Sequence, residues 1–229
     1  IIRASIKTFC LKWYCIDLIC EQYYNNQKRN NAYKRICTQF AERQKAGVGM
    51  TSPKSCAILG HNPMRFAWGF DEEAAECHDM KMELAQQIMV LRQQGVTHFS
   101  VACDYGVGLY AAELINVLRD NDPELMLFCV TPYEEQATKW TPELRERYFD
   151  MLVKCSHMTA VYTHKQPDAQ LKAYRTIIRQ SDMVLAVYDP ASARGDDTDK
   201  AISYARELHR PMLMIHPDTL KTTYSCVEV

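Results

Sequence analysis

Short, almost wholly apolar runs alternating with helical stretches constrain this chain more than any other feature of it. The runs are Ser55–Gly60 (SCAILG), Thr97–Cys103 (THFSVAC), Leu125–Thr131 (LMLFCVT), Met158–Thr163, Asp182–Tyr188 (DMVLAVY) and Met212–His216 (MLMIH). A strand that is apolar at every position is buried on both faces, as in a parallel sheet held between two helix layers. Between the runs, helices are predicted over Asp71–Gln94, Val107–Arg119, Pro142–Lys154, Asp168–Gln180 and Thr198–Leu208. In the first, Leu84, Ile88 and Leu91 recur at i, i+4 and i+7, and Gly95 supplies the stop. Thr141 is a good N-cap, with Pro142 at the first helical position and Glu143 behind it. The pattern predicts an α/β fold, a Rossmann-like three-layer sandwich with a mostly parallel sheet. Ligands of such sheets bind beyond the carboxyl ends of the strands, at the point where strand order reverses. The residues directly after each strand are therefore the ones to read for chemistry.

The alternation begins only near residue 50. Residues 1–49 hold four cysteines, no proline and the asparagines 25, 26, 30 and 31, and a short basic helix over residues 33–45 is the most that their pattern suggests. The chain opens on Ile1, and Met50 falls directly before the first strand. We therefore expect residues 1–49 to be an N-terminal extension, either a helical appendage or a translated upstream region, and residues 50–229 to be the Rossmann-like domain. The 27 Lys and Arg balance 28 Asp and Glu, a formal charge of -1. That balance predicts no duplex nucleic acid and no anionic membrane among the partners. No uninterrupted apolar run reaches the ~18 residues of a membrane helix. Ten cysteines without a C-x-x-C, several inside the apolar runs, read as reduced thiols in a cytoplasmic protein. The histidines and cysteines lack zinc spacing, so no metal site is expected.

Four loops offer ligand chemistry. After the first strand, Gly60 permits close backbone approach, and His61 and Asn62 offer donors to an anion or a sugar; the same residues also make an ordinary turn. After the second, Asp104-Tyr105-Gly106-Val107-Gly108 runs straight into a helix, whose N-terminal amides suit a phosphate. This G-x-G lacks the third glycine of the dinucleotide fingerprint. Glu113 lies one turn further on, facing either the site or solvent. After the third strand come Thr131 and, further along, Trp140, which either stacks on a base or packs down as a lid. After the fifth, Asp189 leads through Gly195, Asp196 and Asp197 to Thr198, which is placed to cap the next helix. Carboxylates there suit the helix dipole yet repel a phosphate.

Taken in order, LGHNP (Leu59–Pro63), GVGLYAAE (Gly106–Glu113), TPYEEQATKW (Thr131–Trp140) and RQSDMVLAVYDP (Arg179–Pro190) resemble the YpsA-like branch of the SLOG superfamily. Those proteins are Rossmann-like and thought to bind nucleotide-derived ligands; relatives include cytokinin-forming phosphoribohydrolases and the single-strand DNA-loading protein DprA. The resemblance implies a ligand site of Gly60, His61, Asn62, Asp104, Gly106, Gly108, Thr131, Trp140, Arg175, Asp189, Gly195 and Thr198, with Glu113 as the one candidate catalytic group. Three loops depart from the family pattern. Asn62 stands where an arginine is usual, and Val101, Ala102 and Gly108 replace the serine, first glycine and aspartate of the second loop. Asp196 and Asp197 replace two glycines before Thr198. Every charge-assisted hydrogen bond that these replacements remove would weaken phosphate binding by ~1.5–3 kcal/mol.

The leading expectation is thus a bacterial binder or sensor of a nucleotide-like small molecule carrying less phosphate than the family norm, without strong catalysis. A nucleotide N-glycosidase using Glu113 is the first alternative, although the phosphoribohydrolase signature P-G-G-x-G-T-x-x-E is absent. An interaction protein with a vestigial site, forming a homo-oligomer, is the second. No cofactor is implied beyond the nucleotide-derived ligand itself.

Overall fold

A computed structural model of the chain describes residues 53–225, all within Ser52–Val229, the second of the two units into which the chain divides. The expectations for residues 1–49 lie outside the described residues.

Seven strands form one sheet: β1 (Ser55–Gly60), β2 (His98–Val101), β3 (Met126–Tyr133), β4 (His157–Tyr162), β5 (Met183–Val187), β6 (Met212–Ile215) and β7 (Thr222–Ser225). Their order is β4-β3-β2-β1-β5-β6-β7. All pairings are parallel except that of β6 with β7. Five helices connect them: α1 (Ala75–Gln93), α2 (Val107–Arg119), α3 (Pro142–Lys154), α4 (Ala169–Arg179) and α5 (Asp197–Glu207). Strand β1 shows why both faces must be apolar. Cys56 and Ile58 pack into a core with residues of α1, α2 and α3, whereas Ala57 and Leu59 pack with residues of α4 and α5. The period of two along each strand thus builds the three layers. The α/β expectation is met.

Chain order places strands successively outward from β1 to β4, then returns to set β5 against the other side of β1. The carboxyl ends of β1 and β5 are therefore the reversal point, and the His61 amide carries their pairing one residue further by donating to the Val187 carbonyl at 3.1 Å.

The starts of the first and last helices differ from expectation in an informative way. The first helix begins at Ala75 rather than Asp71, because the Asp71 carboxylate accepts from the Glu73 amide at 3.1 Å and folds the segment into a turn. The last is capped by Asp196, not Thr198: Asp196 accepts from the Asp199 amide at 2.9 Å, while the buried Thr198 hydroxyl donates to the Gly60 carbonyl at 3.0 Å. Strand β7 is an addition to the expected elements; its Thr-Thr-Tyr-Ser has no apolar run to announce it. Among the described residues Cys56, Cys77, Cys103, Cys129 and Cys155 are free thiols. No group of His, Cys, Asp or Glu among them is arranged to hold a metal, and no helix is long and apolar enough to cross a membrane.

Candidate functional site

At the end of β1 the backbone is pressed against α2. A Cβ on Gly60 would stand 2.5 Å from Val107 Cγ2, so only glycine lets the strand end approach so closely. His61, 1% exposed, follows. Its Nε2 accepts a hydrogen bond from the Asp189 amide at 3.0 Å. Burial, with the nearby Arg65 guanidinium, holds its pKa below the ordinary value. With Nε2 accepting, the ring carries its proton on Nδ1, and Nδ1 is buried without a protein partner. Asn62 is exposed, and its side chain accepts from the Met64 amide at 3.0 Å, capping the short turn Pro63–Arg65.

The loop after β2 is shaped by its glycines and by one carboxyl group. Gly106 has φ +104 and ψ -129, a conformation in which side chains are strained, and a Cβ on it would meet the Pro63 ring at 2.7 Å. The start of α2 is thereby brought under Pro63. Asp104 lies beside the first turn of α2; a Cβ on Gly108 would come within 2.5 Å of its Oδ1. Its Oδ2 accepts from the Tyr174 hydroxyl at 3.1 Å, while Oδ1 is buried without a partner. Desolvation pushes the Asp104 pKa up to about 6, against the Tyr174 hydrogen bond that favours the anion.

The loop after β5 is the most heavily bonded of the four. Asp189 accepts from the Ala191 amide at 2.8 Å. Arg65, with only 8% of its side chain exposed, donates to Asp196 at 2.6 Å and also to the Ser192 carbonyl and hydroxyl. Three successive amides converge on one oxygen, Asp199 Oδ2: Arg194 at 2.6 Å, Gly195 at 2.6 Å and Asp196 at 3.2 Å. Gly195 takes φ +76 to make that turn. The other oxygen, Oδ1, accepts from the Tyr188 hydroxyl at 2.9 Å. Burial raises the Asp199 pKa, but these donors outweigh it and hold the carboxyl below its usual range. The Tyr188 ring lies 4.6 Å from that of His61, linking the loop back to β1.

The remaining expected residues are engaged in contacts of their own. Thr131 is buried, its hydroxyl donating to the Thr159 carbonyl at 3.4 Å. Trp140 meets Tyr148 edge-on at 5.1 Å and is tilted against Tyr105 at 6.4 Å. Tyr105 in turn stacks on the exposed Phe70. Glu113 is held by both oxygens to Arg147, at 2.7 and 2.9 Å, and Arg147 also pairs with Glu72, which pairs with Lys81 at 2.6 Å. Burial raises the Glu72 pKa, yet Arg147 and Lys81 dominate and lower it to about 2. Arg175 is exposed and lies 5.2 Å over the Tyr204 ring on α5. Sequence reasoning missed Arg65, Tyr174, Tyr188, Arg147 and Asp199. The last had a signal: Asp196-x-x-Asp199 has the spacing of a capping box, which the structure forms.

These features define a Rossmann-like α/β protein whose loops gather around the reversal point between β1 and β5. Residues 56–220 match the family model of YpsA, described as the YspA SLOG family, and the chain belongs to that family. Among curated relatives it is similar to the UPF0398 protein of Halalkalibacterium halodurans, 32% identical over 114 residues, 48% of this chain and 59% of that protein. A UPF0398 protein of Bacillus pumilus is 27% identical over 140 residues, 60% of this chain and 74% of the relative. The match to the first thus spans less than two thirds of that relative's length. Among solved structures it is similar to DNA processing protein A from Helicobacter pylori, with a TM-score of 0.47 and 14% identity, covering 71% of this chain and 65% of the other. That structure concerns a single-stranded DNA binding mode. The expectation of no duplex nucleic acid, drawn above from the charge balance, is corrected on this finding and is withdrawn.

Proposed function

We propose that this protein binds a nucleotide-derived small molecule beyond the carboxyl ends of β1 and β2, as a binder or sensor and not as a strong catalyst. The observation that carries the reading is a pair of buried, unpartnered polar atoms at the ends of those neighbouring strands: His61 Nδ1, a donor, and Asp104 Oδ1, an acceptor when ionised. Buried polar groups are ordinarily satisfied, and those left open in a folded protein ask for a ligand or water. One donor and one acceptor suit the mixed hydrogen-bonding edge of a nucleobase or a ribose. The YpsA-family match and the position of His61, after β1 at the reversal point, support the same reading. The free thiols support a reducing, cytoplasmic setting. A glycosidase gains no support from Glu113, whose two oxygens are both engaged by Arg147.

Calorimetric titration with adenosine, AMP, NAD, ADP-ribose and a single-stranded oligonucleotide tests the reading. Binding of at least one small compound is expected. Replacing His61 by Leu should weaken it about tenfold, the equivalent of one hydrogen bond. Tight binding of the oligonucleotide alone, or equal affinity in the His61→Leu variant, would overturn it.

A further inference from the structure

Resting on that reading, we infer that Asp199 is a specificity-determining residue: its carboxylate fills an anion nest at the start of α5 and so excludes a phosphate from the loop after β5. Consecutive backbone amides that converge on one point make the concavity by which loops and helix starts hold phosphates. In this protein the amides of Arg194, Gly195 and Asp196 converge in that manner, and the oxygen they hold belongs to the protein itself. The carboxylate is locked from its other side by the buried Tyr188 hydroxyl. Asp199 is 8% exposed, so no ligand reaches the amides without displacing it.

The surrounding charges act in the same direction. Arg65 packs against this loop from the β1 side and donates to Asp196 and Ser192. Asp197 adds a further carboxylate to the first turn of α5. A phosphate brought into the nest would meet the carboxylates of Asp199 and Asp196, the latter already paired with Arg65. Meanwhile His61, whose ring packs on Tyr188, keeps a buried donor open. The ligand class that fits is therefore a nucleoside or base-like compound with no phosphate directed at α5.

The test compares the intact chain with two variants, Asp199→Ser, which empties the nest, and Asp199→Asn, which keeps its shape and removes the charge. Thermal melts establish that each variant folds. Adenosine and AMP are titrated calorimetrically, and inorganic phosphate is titrated while the amide resonances of residues 194–196 are followed by NMR. The wild type should bind adenosine and AMP within about threefold of one another, because the phosphate finds no open donor. In Asp199→Ser, AMP should improve at least about tenfold over adenosine, and phosphate should shift the three amides, with a smaller gain in Asp199→Asn. A wild-type preference for AMP of tenfold or more, or amides in a folded Asp199→Ser that ignore phosphate, would overturn the inference. If neither nucleoside nor nucleotide binds any of the proteins, the ligand reading fails, and the phosphate-induced amide shifts alone still decide the nest.

Discussion

Asp104 and His61 illustrate opposite consequences of burial for a titratable group. For His61 the charged form is the protonated one, so burial lowers its pKa, and the associated stability is lost as pH falls below about 6.5. For Asp104 the charged form is the deprotonated one, so burial raises its pKa to about 6. Folding then favours the protonated acid: its contribution is complete below the unfolded value near 3.8 and is lost as pH rises through 6. A shift of this size corresponds to about 2–3 kcal/mol at neutral pH. Asp104→Asn should therefore be more stable than wild type by about 2 kcal/mol at pH 8 and no more stable near pH 4, as read from urea denaturation at the two pH values. Equal stability at both would mean that the carboxyl group is not desolvated. A group kept at a cost to stability is what a ligand contact looks like from the apo side.

At the scale of elements, the junction of β1 with α2 carries the most demanding geometry. Gly60 and Gly106 sit where a phosphate-binding turn would have them, but each is required by packing, against Val107 and Pro63 respectively. Gly106→Ala adds a methyl group 2.7 Å from the Pro63 ring in a backbone region hostile to side chains, and should destabilise by about 2–4 kcal/mol in chemical denaturation. Gly195→Ala meets nothing within 4 Å and is strained only by its φ of +76, so its loss should be smaller. Such roles are not legible in a linear sequence, since a glycine needed for approach and one needed for a ligand look alike. The elements themselves are legible where local chemistry is strong. The runs Ser55–Gly60, Val107–Arg119 and Pro142–Lys154 fold with the bounds that their apolar runs and the Thr141-Pro142 start announce. Strand β7, polar and at the edge, gives no such signal. The side-chain network of Arg65 and Asp199 is hidden for another reason: its partners are distant in sequence or, taken singly, look like charges beside a helix dipole.

The molecule as a whole spends its polar groups unevenly. On the side of α1, α2 and α3, Glu113, Arg147, Glu72 and Lys81 satisfy one another in a half-buried network, and Trp140 and Tyr105 join an aromatic cluster beside it. At α5, Asp199 satisfies its own loop. Between these regions, the ends of β1 and β2 retain a donor on His61 and an acceptor on Asp104 that the protein leaves open. The central claim is that a nucleoside-type ligand completes them. The most direct measurement is the nitrogen NMR spectrum of the His61 ring as adenosine is added. The free protein should show a neutral ring protonated at Nδ1, and saturating adenosine should move the Nδ1 resonance while Nε2, held by the Asp189 amide, stays in place. An Nδ1 resonance indifferent to adenosine, in a protein that otherwise binds it, would contradict the account.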